Sequence, residues 1–261
     1  LNLLPAIAPD DLSWGDDYVT RSKSIARYFR QQFADIRDRE ETPDYNFHTL
    51  SMNYLYKGSV LYWYAKVKTV HEGLYRSLNQ LIGKDDTVID IGTGYGMLPL
   101  MLKLSGRKRR IIGFDYDGEK ITVAKHLFSR VKYKGLDFFT GDLKQHYKDL
   151  ITAADIFILY DVLHYINPEH QRLILTHCIS MMNPGGKIII REGLTINNKL
   201  KRTGMIEFFS TRFFKFNRTS ESLHFISDEM INEFCQQYHL NMHIIHASRH
   251  SSDTLFYLYK Q

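Results

Sequence analysis

Cysteine is scarce in this chain, with two among 261 residues, Cys178 and Cys235. Two thiols cannot build the bridged framework of a small secreted domain or a thiolate metal site, so a reducing compartment is expected. Long apolar runs are missing too: none approaches the roughly 18 to 20 residues needed to cross a bilayer. No repeat period and no low-complexity tract is present, which excludes solenoid and array architectures. A strong charge of one sign is also absent, since 34 Lys+Arg against 29 Asp+Glu leave only +5. That balance permits an anionic partner without requiring one, and it falls short of the wide basic footprint of a nucleic-acid binder. The opening residues LNLLPAIAPDD lack the basic start and apolar stretch of a secretion signal. A chain that begins with Leu1 instead of Met is expected to be a piece of a longer polypeptide or a processed form.

Aromatic surface is what the chain has in quantity: 17 Tyr and 16 Phe. Before residue 84 the pattern is helical. Asp16 to Arg39 is long and charged, and after Pro43 comes the Tyr-rich stretch YNFHTLSMNYLYKGSVLYWYAKVK. Gly58 and Ser59 predict a turn inside it, and His71 to Ile82 reads as a further helix closed by Gly83. After Lys84, short apolar runs alternate with helical patterns, as in a series of βαβ units. Strands are predicted at Thr87–Ile91, Arg110–Asp115, Leu136–Thr140, Ile156–Leu159, Gly186–Arg191, Met242–Ala247 and Thr254–Tyr259, the last two antiparallel. Helices are predicted at Met97–Ser105, Glu119–Ser129, Pro168–Met181 with Asn167 as N-cap, and Asp228 to Tyr238 after Ser227. The fold class is α/β, a doubly wound seven-stranded, mostly parallel sheet with an N-terminal helical cap. The run Lys103–Arg110 reads as a solvated loop.

The first strand runs through VIDIGTGYG, Val88 to Gly96, straight into a helix. Glycines at 92, 94 and 96 let the backbone approach a ligand, and the helix start presents unpaired N–H groups. A dinucleotide fingerprint begun at Gly92 would need Gly or Ala at position 97, where Met97 stands. Asp90 would also repel a pyrophosphate, whereas it suits a ligand carrying an ammonium group.

With these residues on the page, D-I-G-T-G-Y-G resembles motif I of the class I S-adenosylmethionine-dependent methyltransferases. IIGFDYD, FFTGDLKQ, ADIFILYDVLHYI and MNPGGKIIIRE are similar to the motifs that follow, in the same order. The resemblance implies a Rossmann-like fold and S-adenosyl-L-methionine as cofactor. Asp90, Gly92, Thr93, Gly94 and Gly96 would hold its methionine part. Asp115 would hold the ribose hydroxyls. Tyr116 would stack on adenine, Gly141, Asp142 and Leu143 would meet its edge, and Tyr160 ends the fourth strand on the ligand side. For several of these a plainer role is open: Asp142 as a turn former, Tyr116 as a strand-end cover.

His164 is the candidate catalytic base, with a structural histidine as the alternative. Tyr56, Tyr64, Tyr165 and Arg191 are candidate substrate contacts. Arg191 beside Glu192 reads equally as a surface ion pair. No metal is expected: His243 and His246 fall on one predicted strand with opposite faces, and no H-E-x-x-H occurs.

Residues 1–83 are read as a helical linker and cap or lid, and 84–261 as the cofactor-binding domain. A basic, Phe-rich insertion at about 193–226 suits an amphiphilic acceptor or a membrane surface, with RNA stacking and a plain pocket wall with a solvated outer face as the other readings. LSWGDDYVTRSKSIARYFRQQF resembles the end of a lysophospholipid acyltransferase domain, as in bacterial fusions of transporter, acyltransferase and methyltransferase from aryl-polyene (flexirubin-type) pathways. The expected function is methyl transfer to a small aromatic or lipid-linked acceptor. An RNA methyltransferase and a non-catalytic scaffold domain are the alternatives. The expected location is cytoplasmic, at the inner face of the membrane for a lipid-linked acceptor.

Overall fold

The computed structural model describes residues 50–51, 53–66, 68, 74–106, 108–129, 135–193, 224–246 and 253–260. The acyltransferase-like segment and the basic Phe-rich stretch 197–218 lie outside the described residues. Seven strands follow the sheet order β3-β2-β1-β4-β5-β7-β6, a mostly parallel α/β arrangement as the βαβ pattern implies. The chain divides between Leu143 and Lys144 into two compact units.

In the first unit, a 3₁₀ turn at Leu55–Lys57 breaks at Gly58, whose φ of 102° is the left-handed geometry glycine permits. Helix α1 (Ser59–Lys66) follows, then α2 (Leu74–Leu81). The order continues β1 (Thr87–Ile91), α3 (Met97–Ser105), β2 (Arg110–Asp115), α4 (Gly118–Ser129) and β3 (Leu136–Thr140). Strand β1 is buried on both faces beyond Thr87, which is why TVIDI reads as a continuous apolar run instead of an alternation. It pairs parallel with β2, with Asp90 beside Gly113, and β2 pairs parallel with β3. Every residue of α3 is buried, so this helix is apolar around nearly its whole circumference.

The Lys103–Arg110 run corrects the expectation of a solvated loop. Lys103 and Arg109 are buried. The Arg109 guanidinium donates to the carbonyls of Gly83 (2.7 Å), Ile82 (2.6 Å) and Leu102 (2.8 Å) and to Asn79 Oδ1 (2.8 Å). Lys103 donates to the Arg109 carbonyl. The end of α2 leaves carbonyls without intrahelical partners, which the fork-shaped cation satisfies, and at α3 it adds a second bond to the Leu102 carbonyl already held by the Gly106 N–H at 3.0 Å. Lys108 and Arg110 are exposed, and Lys108 lies 3.9 Å from Asp85 in an ion pair.

The second unit holds most of α5 (Leu143–Leu150), then β4 (Ala154–Tyr160), a 3₁₀ turn at Leu163–Tyr165, α6 (Pro168–Ser180) and β5 (Met182–Gly193). It closes with α7 (Asp228–Gln237), β6 (Leu240–His246) and β7 (Asp253–Lys260). Strands β4 and β5 are parallel, while β7 is antiparallel to both β5 and β6. Asn167 caps α6 by accepting from the His170 N–H at 2.9 Å, and Ser227 caps α7 by accepting from Met230 at 3.2 Å. Both match the N-cap rule that marks these helices in the sequence. Helix α5 was not foreseen: LKQHYKDL has few apolar residues, and the helix kinks at His146. Among the described residues no helix is long and apolar enough to cross a membrane.

Candidate functional site

Asp90 is the fourth residue of β1, fully buried, and its carboxylate accepts from the Thr93 hydroxyl at 2.6 Å. Burial pushes this carboxyl up to about 7 against the Thr93 hydrogen bond, and the nearby Asp115 charge adds to the rise. No basic side chain pairs with Asp90 among the described residues. The loop that follows is folded onto β2: the Gly92 and Thr93 N–H groups both donate to the Phe114 carbonyl, at 2.9 and 3.0 Å. Gly113 makes that closeness sterically permissible, since a Cβ there would stand 2.8 Å from both the Thr93 hydroxyl and the Phe138 ring. Gly94 has φ of 55°, and a Cβ there would meet nothing within 4 Å. Among the described residues, then, nothing covers the turn at Gly94. Gly96 opens α3 with no side-chain cap, leaving the first-turn N–H groups to a ligand or to water.

Asp115 ends β2. Its two carboxylate oxygens accept from the backbone N–H groups of Gly94 and Asp117, each at 2.9 Å. A carboxylate has about four lone-pair positions, so capacity remains for two further donors. Burial raises its pKa, while the charge of Lys120 and those two backbone bonds oppose the rise. Tyr116, 46% exposed, presents its ring beside the Lys120 ammonium at 6.0 Å. After β3, the Gly141 N–H donates to the Asp115 carbonyl at 3.0 Å, which fixes where Asp142 and the buried Leu143 begin α5. The structure thus brings Asp90, Thr93, Gly94, Asp115 and Gly141 into one bonded cluster at the strand ends.

The Tyr-rich segment also meets the glycine turn. Tyr54 is fully buried and donates its hydroxyl to the Tyr95 carbonyl at 3.2 Å. Tyr64 packs edge-on against the Tyr95 ring, with centroids 6.1 Å apart. Tyr64 is therefore a neighbour of the turn itself. The side chain of Tyr56 lies outside the described residues.

The second unit gathers a different group. His164 Nδ1 lies 2.7 Å from Glu192 Oε2, and the other Glu192 oxygen accepts from the Leu163 N–H at 2.8 Å. Glu192 is inaccessible to solvent. A carboxylate can only accept, so Nδ1 carries the proton, and in the neutral ring Nε2 holds the lone pair. Tyr165 tilts against the imidazole with centroids 4.1 Å apart, and Phe225 stacks on it at 5.6 Å and 24°.

Arg191 and Glu192 do not pair with each other, which corrects the surface ion-pair reading. Neighbours on a strand point to opposite faces, so the period of β5 already excluded that pair. Both are buried, and Arg191 bonds Asp161 while its guanidinium lies 4.9 Å over the Tyr160 ring. Asp161 has φ of 57°, a conformation that aspartate tolerates better than most residues. Phe225 and Lys120 were not named from the sequence, and Glu192 was named there only as the neighbour of Arg191. Strand parity, which turns Glu192 away from Arg191, is the signal that separates the two.

The S-adenosylmethionine implied by the motifs carries an ammonium, a carboxylate, a ribose with two hydroxyls and an adenine, and no phosphate. The donor set fits it. An ammonium about 4 Å from Asp90 gains about 4 kcal/mol at an effective dielectric constant of 20. That matches roughly three pH units of proton affinity, enough to ionise the raised carboxyl. A pyrophosphate in the same place would be repelled.

The chain is 32% identical over 102 residues to the ribosomal protein L11 methyltransferase of Streptococcus equi subsp. zooepidemicus (strain MGCS10565), over 38% of this chain and 31% of that protein. It is 28% identical over 112 residues to the 3-amino-4-hydroxybenzoate 4-O-methyltransferase of Streptomyces cremeus, over 41% of this chain and 28% of that one. The match thus spans about a third of the length of these curated relatives. The fold is similar to that of the pyocyanin biosynthetic protein PhzM, with a TM-score of 0.58, 14% identity, and coverage of 83% of this chain and 62% of that one. The family model described as a methyltransferase domain matches residues 82–248. More than half of the chain, including both clusters of side chains, falls inside that match, and the chain belongs to the methyltransferase domain family.

Proposed function

We propose that this chain transfers a methyl group from S-adenosylmethionine to a hydroxyl oxygen of a small acceptor, aromatic or lipid-linked. The observation that carries the reading is the histidine–carboxylate pair of His164 and Glu192. S-adenosylmethionine, when bound, supplies an activated methyl group on a good leaving group. Asp90 and the turn Gly92–Gly96 with Thr93 would hold its amino-acid part, Asp115 the ribose, and Tyr116, Asp142 and Leu143 the adenine. His164 Nε2 would take the proton of the acceptor's hydroxyl. The imidazolium so formed is stabilised by the buried Glu192. Tyr165 and Arg191 belong to the acceptor side of this proposal, and a lipid-linked acceptor would be reached at a membrane surface. The phenolic acceptor named for the Streptomyces cremeus relative supports the choice of oxygen.

The test is to incubate the chain with methyl-labelled S-adenosylmethionine and a cell extract, then separate small molecules and lipids, protein, and RNA. Label is expected among small molecules or lipids, and His164→Gln should lower its transfer by about 10²- to 10⁴-fold. Label confined to protein or to RNA would overturn the acceptor class. Binding of the cofactor with no transfer would favour a scaffold role.

A further inference from the structure

Gln171 is buried, although nothing in the proposed reaction uses it. It sits in the first turn of α6, where its own N–H makes an early intrahelical bond to the Asn167 carbonyl at 2.9 Å. Its carboxamide Nε2 turns back and lies within donating distance of three carbonyls: Leu163 at 2.9 Å, Ile166 at 2.9 Å and His224 at 2.8 Å. Two N–H groups cannot serve three acceptors with linear bonds, so at least one is shared. The first two carbonyls bracket the 3₁₀ turn that carries His164. The third belongs to the segment leading into α7. That segment returns the grip, since the His224 N–H donates to the His164 carbonyl at 2.8 Å. The next residue, Phe225, stacks on the His164 ring. Glu192 meanwhile holds the Leu163 N–H and His164 Nδ1. The backbone on both sides of His164 is thus fastened by two buried side chains from different elements.

We propose that Gln171 is a positioning residue that fastens the His164 turn to the His224–Phe225 segment, so that the imidazole and the aromatic wall stacked on it move as one body. The proposal rests on the methyltransferase reading, because it gives a proton acceptor one orientation; substrate and cofactor are not touched by Gln171 itself. A side chain with purely structural value would change the melting temperature and nothing local below it. A positioning residue changes the lifetime of the His164 hydrogen bond in the folded state.

The experiment follows the deshielded Nδ1 proton of His164 by NMR in the full chain, assigned by its loss in His164→Gln. The amide protection of His224 is measured alongside. Gln171→Met keeps the volume and removes the donors. It should speed solvent exchange of the His164 ring proton and of the His224 amide together, each by tenfold or more. The affinity for S-adenosylhomocysteine should stay within about twofold by calorimetry. If Gln171→Met does not fold, Gln171→Asn keeps the carboxamide on a shorter stem and should show the same paired loss. Unchanged exchange in a folded variant overturns the proposal, as does loss at His164 alone with His224 still protected. A wild-type chain that takes up no S-adenosylhomocysteine overturns the reading beneath it, a result separate from the exchange data.

Discussion

Asp90 is a carboxyl that burial keeps only partly ionised near neutral pH. In the ligand-free chain burial holds it up at about 7 from an ordinary 3.8. A carboxyl whose folded pKa is raised supports the fold when protonated, and that contribution falls as pH rises from about 4 to about 7. Asp90→Asn should therefore raise the urea midpoint of the ligand-free chain more at pH 8 than at pH 5. Ligand capture has the opposite sign, because an ammonium favours the ionised form. The affinity for S-adenosylhomocysteine should weaken as pH falls below about 7, approaching tenfold per unit, while Asp90→Asn should bind weakly at every pH. A flat calorimetric profile between pH 5 and 8 would refute the pairing. At Asp115 two hydroxyl donors to a charged acceptor contribute about 1.5 kcal/mol each. Asp115→Ala should cost on the order of a hundredfold in the same affinity. Both acids were legible in the sequence as strand-end residues. Their shared hydrogen-bond scheme was not, because it depends on Gly113 letting the turn lie against the neighbouring strand.

At the level of helices and strands, what the chain announces is local, and what it conceals is tertiary. Asn167 before Pro168 and Ser227 before Asp228 are start signals contained within a few residues, and both caps are present. Asn167→Ala should lower stability by about 1 kcal/mol, measured by urea unfolding. Helix α5 carries no such pattern, since its short polar sequence gains its helicity from context. Arg109 is the clearest case of concealment. In a run of basic residues it looks solvated, yet it ties the end of the adjoining helix to carbonyls at the end of α2, which is distant in sequence. Arg109→Met should cost on the order of 3 kcal/mol by leaving several buried acceptors unmet. Lys108→Met, which breaks only an exposed pair, should cost less than about 0.5 kcal/mol. Equal losses in the two variants would contradict this division of roles.

Taken whole, the chain displays its βαβ alternation and five ordered motifs plainly, because parallel strands and glycine turns leave periodic traces. The acceptor side left few such traces. His164 stood out through its residue type, whereas Glu192, Gln171 and Phe225 join it only once β5, α6 and the segment before α7 are folded. Cofactor uptake should register in the unfolding of the entire molecule. A hundredfold excess of S-adenosylhomocysteine over its Kd adds about 2.7 kcal/mol, which is roughly 5–10 °C in Tm for a chain of this size. NADH should add nothing, and a shift with NADH alone would return the dinucleotide reading. Cys178 and Cys235, both buried and with thiols held above their ordinary pKa by burial, have a practical consequence. Alkylating reagents act through the thiolate, so at neutral pH these two sites stay dark. A fluorophore attached through one introduced surface cysteine would label the wild-type background cleanly, without first stripping out the native sulfurs.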